Sequence, residues 1–247
     1  MALVEQLGMR LGVAALDTGN GRMLLHRADE RFMMCSTFKL ILAAAILRRV
    51  ERGRERLERV IRYTQADLLG VSPVTRANAS KELSVEALCA AAIHVSDNAA
   101  ANLLLESLGG PSEITSFFRT IGDSTSRLDR NELSLNNKDE EKDTTTPRAM
   151  LMNLRALLSG DVLNANSRRK LTDWMRGVTT GLSLFRVGLP AEWQVGDKTG
   201  RNVAGAINDI AIAWPPDRAP VLICAYTEGA NDSVLADIGR AVVKALA

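Results

Sequence analysis

Histidine and cysteine are scarce in this chain. His26 and His94 are its two histidines, and Cys35, Cys89 and Cys224, odd in number and widely spaced, are its three cysteines. Such spacing makes neither a zinc pattern nor a disulfide scaffold, and the apolar neighbours of all three thiols mark them as small core residues. The chain has no His-Glu-x-x-His, Cys-x-x-Cys, Gly-x-Gly-x-x-Gly or Walker loop. Metal, nucleotide and dinucleotide chemistry therefore lack their usual parts, and no metal or cofactor is expected. His94 stands between Ile93 and Val95, which suits a packing histidine better than a Ser-His-Asp triad. Aromatic residues make up 4%, and charge nearly balances at +2. The arginines from Arg48 to Arg62 alternate with Glu51, Glu55 and Glu58 and have no aromatic residue among them. They read as a solvated helix face, not a nucleic-acid stripe. Apolar runs such as Leu40 to Leu47 fall far short of a membrane span. Met1-Ala2-Leu3-Val4 leads into Glu5 without a basic start or long apolar core, as in a cytoplasmic protein or a mature form trimmed of its leader.

What is present is a folded globular composition, 46% hydrophobic and 24% charged over 247 residues, enough for a substantial core. Leu11 to Leu16 and Arg22 to Leu25, separated by Asp17-Thr18-Gly19-Asn20-Gly21, predict a hairpin. From Ser36 to about Thr179 helical signals dominate: Leu83 to His94, Asp97 to Leu108 stopped by Gly109-Gly110, helices opened by Pro111 and by Thr146-Pro147, and one from Ser167 to Val178. Extended patterns return at Trp193-Gln194-Val195, Ala206 to Trp214 and Val221 to Tyr226, before an amphipathic helix from Ser233 to Leu246. Strands at both ends predict an α/β fold of the α+β type. An antiparallel sheet domain, residues 1–34 plus 180–247, is flanked by helices, and an all-helical domain, residues 35–179, is inserted into it, with the site in the cleft between them.

Ser36-Thr37-Phe38-Lys39 carries the first chemical signal, because Lys39 is the lone charge between Phe32 and Leu47. A helix from Phe38 to Leu47 has no polar face and must be buried nearly all round, with Ser36 placed to cap or open its first turn. Three residues along a helix share a face, so the lysine amine is expected beside the serine hydroxyl. Burial lowers a lysine pKa and makes the amine a base for a serine nucleophile. Ser167-Arg168-Arg169-Lys170 has the same spacing in a charged setting, so spacing alone proves little. Ser96-Asp97-Asn98 sits at a helix junction, where a hydroxyl and an amide can enter a cleft or Asp97 can simply cap. Lys198-Thr199-Gly200 on a strand offers a charge, a hydroxyl and room for an anionic ligand. Between them, Ile121 to Thr146 lacks periodicity, and a structureless stretch that long is usually functional. Within it Arg127-Leu128-Asp129-Arg130-Asn131-Glu132 can form internal ion pairs, with Glu132 either a base or a solvated carboxylate.

Each motif alone is weak, but the trio Ser-x-x-Lys, Ser-Asp-Asn and Lys-Thr-Gly in this order resembles the class A serine β-lactamases. The resemblance runs from Gly12-Val13-Ala14-Ala15-Leu16-Asp17 through Ser72-Pro73-Val74-Thr75, Leu128-Asp129-Arg130, Asp143-Thr144-Thr145-Thr146-Pro147 and Asn208-Asp209-Ile210-Ala211 to Trp214-Pro215-Pro216. It implies that Ser36 attacks the lactam carbonyl, with Lys39, or Glu132 through water, taking its proton. Ser96 would pass a proton to the leaving nitrogen, and the backbone N–H groups of Ser36 and Arg201 would hold the oxyanion. Glu132 and Asn136 would hold the deacylating water; Asn98 would bind the substrate's amide side chain, while Lys198, Thr199, Gly200 and Arg201 line its carboxylate side. The resemblance further implies a β-lactam (penicillins and some cephalosporins) as the small-molecule partner, no nucleic acid or membrane partner, a monomer, and a periplasmic or secreted location.

Several positions depart from the family pattern. Val71 replaces an aromatic residue beside Ser72-Pro73, so stacking on substrate should be lost. Asn131 and Leu133 flank Glu132 in place of tryptophan and proline, so the loop is expected to take another path. Leu184 and Ile207 occupy the two places of the usual extra arginine, which Arg201 is expected to replace. Ala43 faces Cys89 at the usual disulfide position, so that bridge is absent. A penicillin-binding transpeptidase or carboxypeptidase, or a sensor domain that acylates without turnover, would share the three motifs. Glu132 separates these alternatives, since it alone serves deacylation.

Overall fold

A computed structural model describes residues 9–79 and 81–246; the leader reading at Met1 to Glu5 and the first eight residues of the expected sheet domain lie outside them. Strands β1 (Arg10–Asp17) and β2 (Met23–His26) form the expected hairpin, and β7 (Gln194–Arg201), β8 (Ile207–Trp214) and β9 (Val221–Glu228) follow late in the chain. They make one antiparallel sheet in the order β2-β1-β9-β8-β7, with Ala14 opposite Cys224 and Lys198 opposite Ile210. The strands read as nearly continuous apolar runs because both sheet faces are covered. Alternate residues serve opposite sides: Ala14, Leu16, Ile210, Leu222 and Tyr226 join the large helical core. Leu11, Val13, Ala15, Ala211 and Ile223 pack against α8 (Phe185–Gly188) and α9 (Asp232–Leu246). The sheet's inner face and the helices thus share one core.

Helix α1 (Phe38–Glu51) runs through that core with every residue from Phe38 to Leu47 buried, as its lack of a polar face requires. Around it lie α2 (Pro73–Ala77), α3 (Val85–His94), α4 (Asn98–Leu108), α5 (Pro111–Thr120), α6 (Pro147–Leu158) and α7 (Ala165–Arg176). Side chains set their starts: Ser84 accepts from Ala87 N, Asp97 from Ala100 N and Thr146 from Ala149 N. Gly109, at φ 111°, closes α4 in the left-handed conformation that glycine adopts without cost. Of the boundaries that differ from expectation, two change what a segment does. Helix α7 starts at Ala165 because Asn164 is its cap, and α1 stops at Glu51. The stretch from Arg52 to Arg62 is therefore turns and the short strand β4 (Val60–Ile61), and Glu55 is a buried carboxylate gripped by Arg59 at 2.7 and 2.5 Å. Among the described residues no helix is long and apolar enough to cross a membrane.

The long polar segment is pinned by charge, as its residues suggested. Arg127 binds Asp129 and Arg130 binds Asp143 at 2.6 Å, while Asp143 Oδ1 accepts from the Asp129 and Arg130 N–H groups. Its end, β6 (Thr144–Thr145), pairs with β3 (Phe32–Met33), and Met34 N donates to Asp143 O. Loop and nucleophile strand are thereby one hydrogen-bonded piece.

Candidate active site

Ser36 does not cap α1. It sits in a 3₁₀ turn, Cys35–Thr37, ahead of the helix, and that turn is held from the sheet. Asn208 of β8 donates to Met33 O at 2.9 Å and Met34 O at 3.3 Å, and Thr37 Oγ1 lies 3.1 Å from Tyr226 Oη. Gly200 of β7 passes so close that a Cβ there would stand 2.8 Å from Met34 O and 3.1 Å from Ser36 N. The glycine makes room for the serine turn first, and only through it for a ligand.

Lys39 is fully buried one helical turn along. Its ammonium donates to Asn98 Oδ1 at 2.6 Å and to Ser96 O at 2.9 Å, and it lies 2.9 Å from Glu132 Oε1 and 3.4 Å from Ser96 Oγ. The same Glu132 oxygen accepts from Ser36 Oγ at 3.2 Å, so serine and lysine meet through the carboxylate. Burial pushes the Lys39 amine below the usual lysine range, while Glu132 and Asp97 pull it back.

Glu132 reaches this point because both ends of its peptide unit are held. Asn102 on α4 receives Glu132 N at 2.9 Å and donates to Glu132 O at 2.8 Å, and Asn136 Nδ2 donates to Glu132 Oε2 at 2.8 Å. The Glu132–Leu133 peptide bond is cis. Asn136 Oδ1 is buried without a partner among the described residues, an acceptor beside the carboxylate.

Ser96 takes a left-handed backbone, φ 56°, between α3 and α4. Asp97 does more than cap: its carboxylate also accepts from Val74 N, Thr75 N and Thr75 Oγ1, tying the junction to α2. Lys198 on β7 is wholly buried and donates to Ser96 Oγ at 3.2 Å and Thr199 O at 2.8 Å. Burial and the neighbouring Lys39 bring its amine down to about 7. Behind it lie the buried Asp197, bound by Arg186 at 2.5 Å, and Asp209, whose carboxyl burial holds well above the carboxylate range. Thr199 Oγ1 meets Thr180 Oγ1 at 2.8 Å.

These groups surround a cleft of about 680 Å³. Ser36, Ser96, Asn98, Asn136, Thr199, Gly200 and Arg201 line it, with Lys39, Glu132 and Lys198 buried just behind. All ten residues singled out in the sequence therefore converge, whereas Lys170 of the second Ser-x-x-Lys binds Glu86 elsewhere on the surface. Val71, Leu133 and Val203 form an exposed apolar mouth. Leu184 and Ile207 belong to the outer core, and Arg201 reaches Asp232 at 2.7 Å. Sequence reasoning missed Asn102 and Thr180. Asn102 was within reach: it lies one helical turn after Asn98, making a polar stripe on an otherwise apolar helix. The three thiols are free and buried, and His94 packs against Gly177.

The arrangement couples a serine hydroxyl, a bridging carboxylate and two buried amines, which suits covalent acyl transfer followed by hydrolysis. Comparison with known proteins agrees. The model of the β-lactamase enzyme family matches residues 1–246. β-Lactamase AST-1 of Nocardia asteroides is 47% identical over 247 residues, 97% of this chain and 80% of that protein. A β-lactamase of Citrobacter koseri is also 47% identical, over 227 residues covering 91% and 77%. The structure of an ancestral class A β-lactamase superposes with a TM-score of 0.96 at 51% identity, covering 99% of this chain and 97% of that one.

Proposed function

Because this chain belongs to the class A serine β-lactamases, we propose that it hydrolyses β-lactams through an acyl-enzyme on Ser36, resolved by water that Glu132 activates. The observation that carries this reading is the single Glu132 oxygen lying 3.2 Å from Ser36 Oγ and 2.9 Å from Lys39 Nζ. Serine attack on the lactam carbonyl forms the Ser36 Oγ–C bond as the hydroxyl proton passes to Glu132 or Lys39. The tetrahedral oxyanion rests on the backbone N–H groups of Ser36 and Arg201. Its collapse breaks the ring C–N bond, and the nitrogen takes a proton from Ser96, which Lys39 and Lys198 both contact; the proton taken from Ser36 passes through Lys39 to Ser96, leaving Glu132 a carboxylate. Water between Glu132 and Asn136 then gives its proton to that carboxylate and attacks the ester, and the ester C–O bond breaks as Ser36 Oγ takes the proton back from Glu132. Asn98 orients the acylamino side chain, and Lys198, Thr199 and Arg201 hold the substrate carboxylate across Gly200.

The same reading has residues 1–34 with 180–247 as the sheet unit, residues 35–179 as the helical unit, and a monomer exported to the periplasm or medium. Turnover counting tests the function: many equivalents of penicillin hydrolysed per mole of protein are expected. A halt after about one equivalent would mean a sensor or transpeptidase-like protein.

Two further outcomes follow from the carboxylate side. With Lys198 near 7, the ammonium form holds below that pH and is lost above it. KM for a penicillin is therefore expected to climb as pH rises through about 7, with kcat less affected. A KM that stays flat from about pH 6 to 9 would remove Lys198 from carboxylate binding. Arg201 is half-exposed and already paired with Asp232, so Arg201→Ala should raise KM only about fivefold, ~1 kcal/mol. An unchanged KM in steady-state kinetics would show that Arg201 does not bind substrate.

A further inference from the structure

We propose a second binding site, for a phosphate monoester with an apolar body, in the groove between the end of α1 and the outward face of α5. The cavity measures about 230 Å³. One wall is Ala45, Arg48, Arg49 and Arg52, spaced to share one face of the end of α1; the other is Glu113, Ser116, Phe117 and Thr120, spaced likewise on α5. Arg54 and Leu108 close its ends.

Four guanidiniums thus meet one carboxylate, in a chain whose overall charge is only +2. Arginines at a helix C-terminus normally balance the helix dipole, and Arg49 also reaches the end of α4, donating to Leu108 O at 3.3 Å. That role leaves much unexplained. Arg49 Nε is buried with no partner among the described residues, an expensive state for a charged group unless something bonds to it. Arg48 spends its charge on Glu51 at 2.8 Å and Arg59 on Glu55 at 2.5 Å. Among the described residues Arg52 and Arg54 have neither an ion pair nor a side-chain hydrogen bond. A second cavity of about 400 Å³, sharing Arg49 and Arg54, extends the positive surface.

Converging planar forks fit an oxyanion with several equivalent oxygens, and phosphate accepts from more than one guanidinium at once where a carboxylate is used up by a single fork. Ser116 supplies a hydroxyl at the same mouth, while the Thr120 hydroxyl donates to Phe117 O at 2.7 Å. Phe117, Ala45 and Leu108 offer an apolar wall to whatever the phosphate is attached to. The site lies at the opposite end of α1 from Ser36, so occupancy and lactam turnover are separable.

Phenyl phosphate titrated into the full chain at low salt, followed by calorimetry with inorganic phosphate as reference, tests the assignment. Saturable one-to-one binding is expected, tighter than that of inorganic phosphate and weakening as salt is raised. The variant R52Q/R54Q, altered only at exposed side chains, should keep its melting temperature and penicillin turnover while binding about tenfold more weakly. No saturable binding, equal binding of inorganic phosphate, or equal affinity in the variant would each overturn the site. So would binding to phosphatidylglycerol vesicles without binding to phenyl phosphate, which would mark a charged surface and not a pocket.

Discussion

Glu132→Ala is expected to take up about one equivalent of penicillin and then stop, with kcat lowered about 10²- to 10⁴-fold, the usual worth of a positioned general base. Acylation should survive because Lys39 remains. In the intact protein burial lowers its amine and Glu132 pulls it back up. With that carboxylate gone, burial is opposed mainly by the weaker pull of Asp97, leaving an amine better able to take the Ser36 proton. The deacylating water has no such substitute, since Asn136 can orient it but cannot accept its proton. Quench-flow with intact-mass detection should find a burst of adduct on Ser36 that persists. Steady turnover without a burst would make Glu132 only a loop carboxylate. Absence of any adduct would make it the base of acylation as well.

That outcome turns on a contact between residues far apart in sequence, which shows what sequence reading can reach. The burial of Lys39 was legible because an amine in an apolar run has no water nearby. The Arg127–Asp129 pair in the long loop was legible too, since the two are opposite in sign and close in sequence; the partner of Arg130, Asp143, lies outside the stretch that suggested it. The meeting of Ser36 and Lys39 through Glu132 was not, because helical spacing orients neighbours on one helix and says nothing of a side chain arriving from a loop. Resemblance to a family supplied Glu132 instead. Asn102 escaped notice because asparagine on a helix ordinarily faces water, and its pair of hydrogen bonds to the Glu132 backbone depends on how the loop packs on α4. Arg48 to Arg62 was misread for a different reason. Alternating charge implies a solvated helix only while the helix continues, and this one ends at Glu51, so Arg52 and Arg54 turn toward α5 to line its groove.

Lys39→Met should damage folding as well as catalysis. Methionine keeps the length and apolar stem of the side chain but removes the ammonium that Asn98, Ser96 and Glu132 share. Glu132, itself almost fully buried, would then be a carboxylate with Ser36 and Asn136 as its remaining side-chain donors. Removing one member of a buried ion pair costs roughly 3–5 kcal/mol, against total stabilities of about 5–15 kcal/mol. Urea unfolding at neutral pH should therefore report a loss of that order. Catalysis should fall at least about 10²-fold, because the lysine is gone both as a base and as the cation beside the Glu132 oxygen that Ser36 contacts. A variant as stable as the parent would mean that the pair is balanced by water and not by burial. A Lys39→Met protein that still turned over penicillin at near the parent rate would place both proton transfers on Glu132 alone.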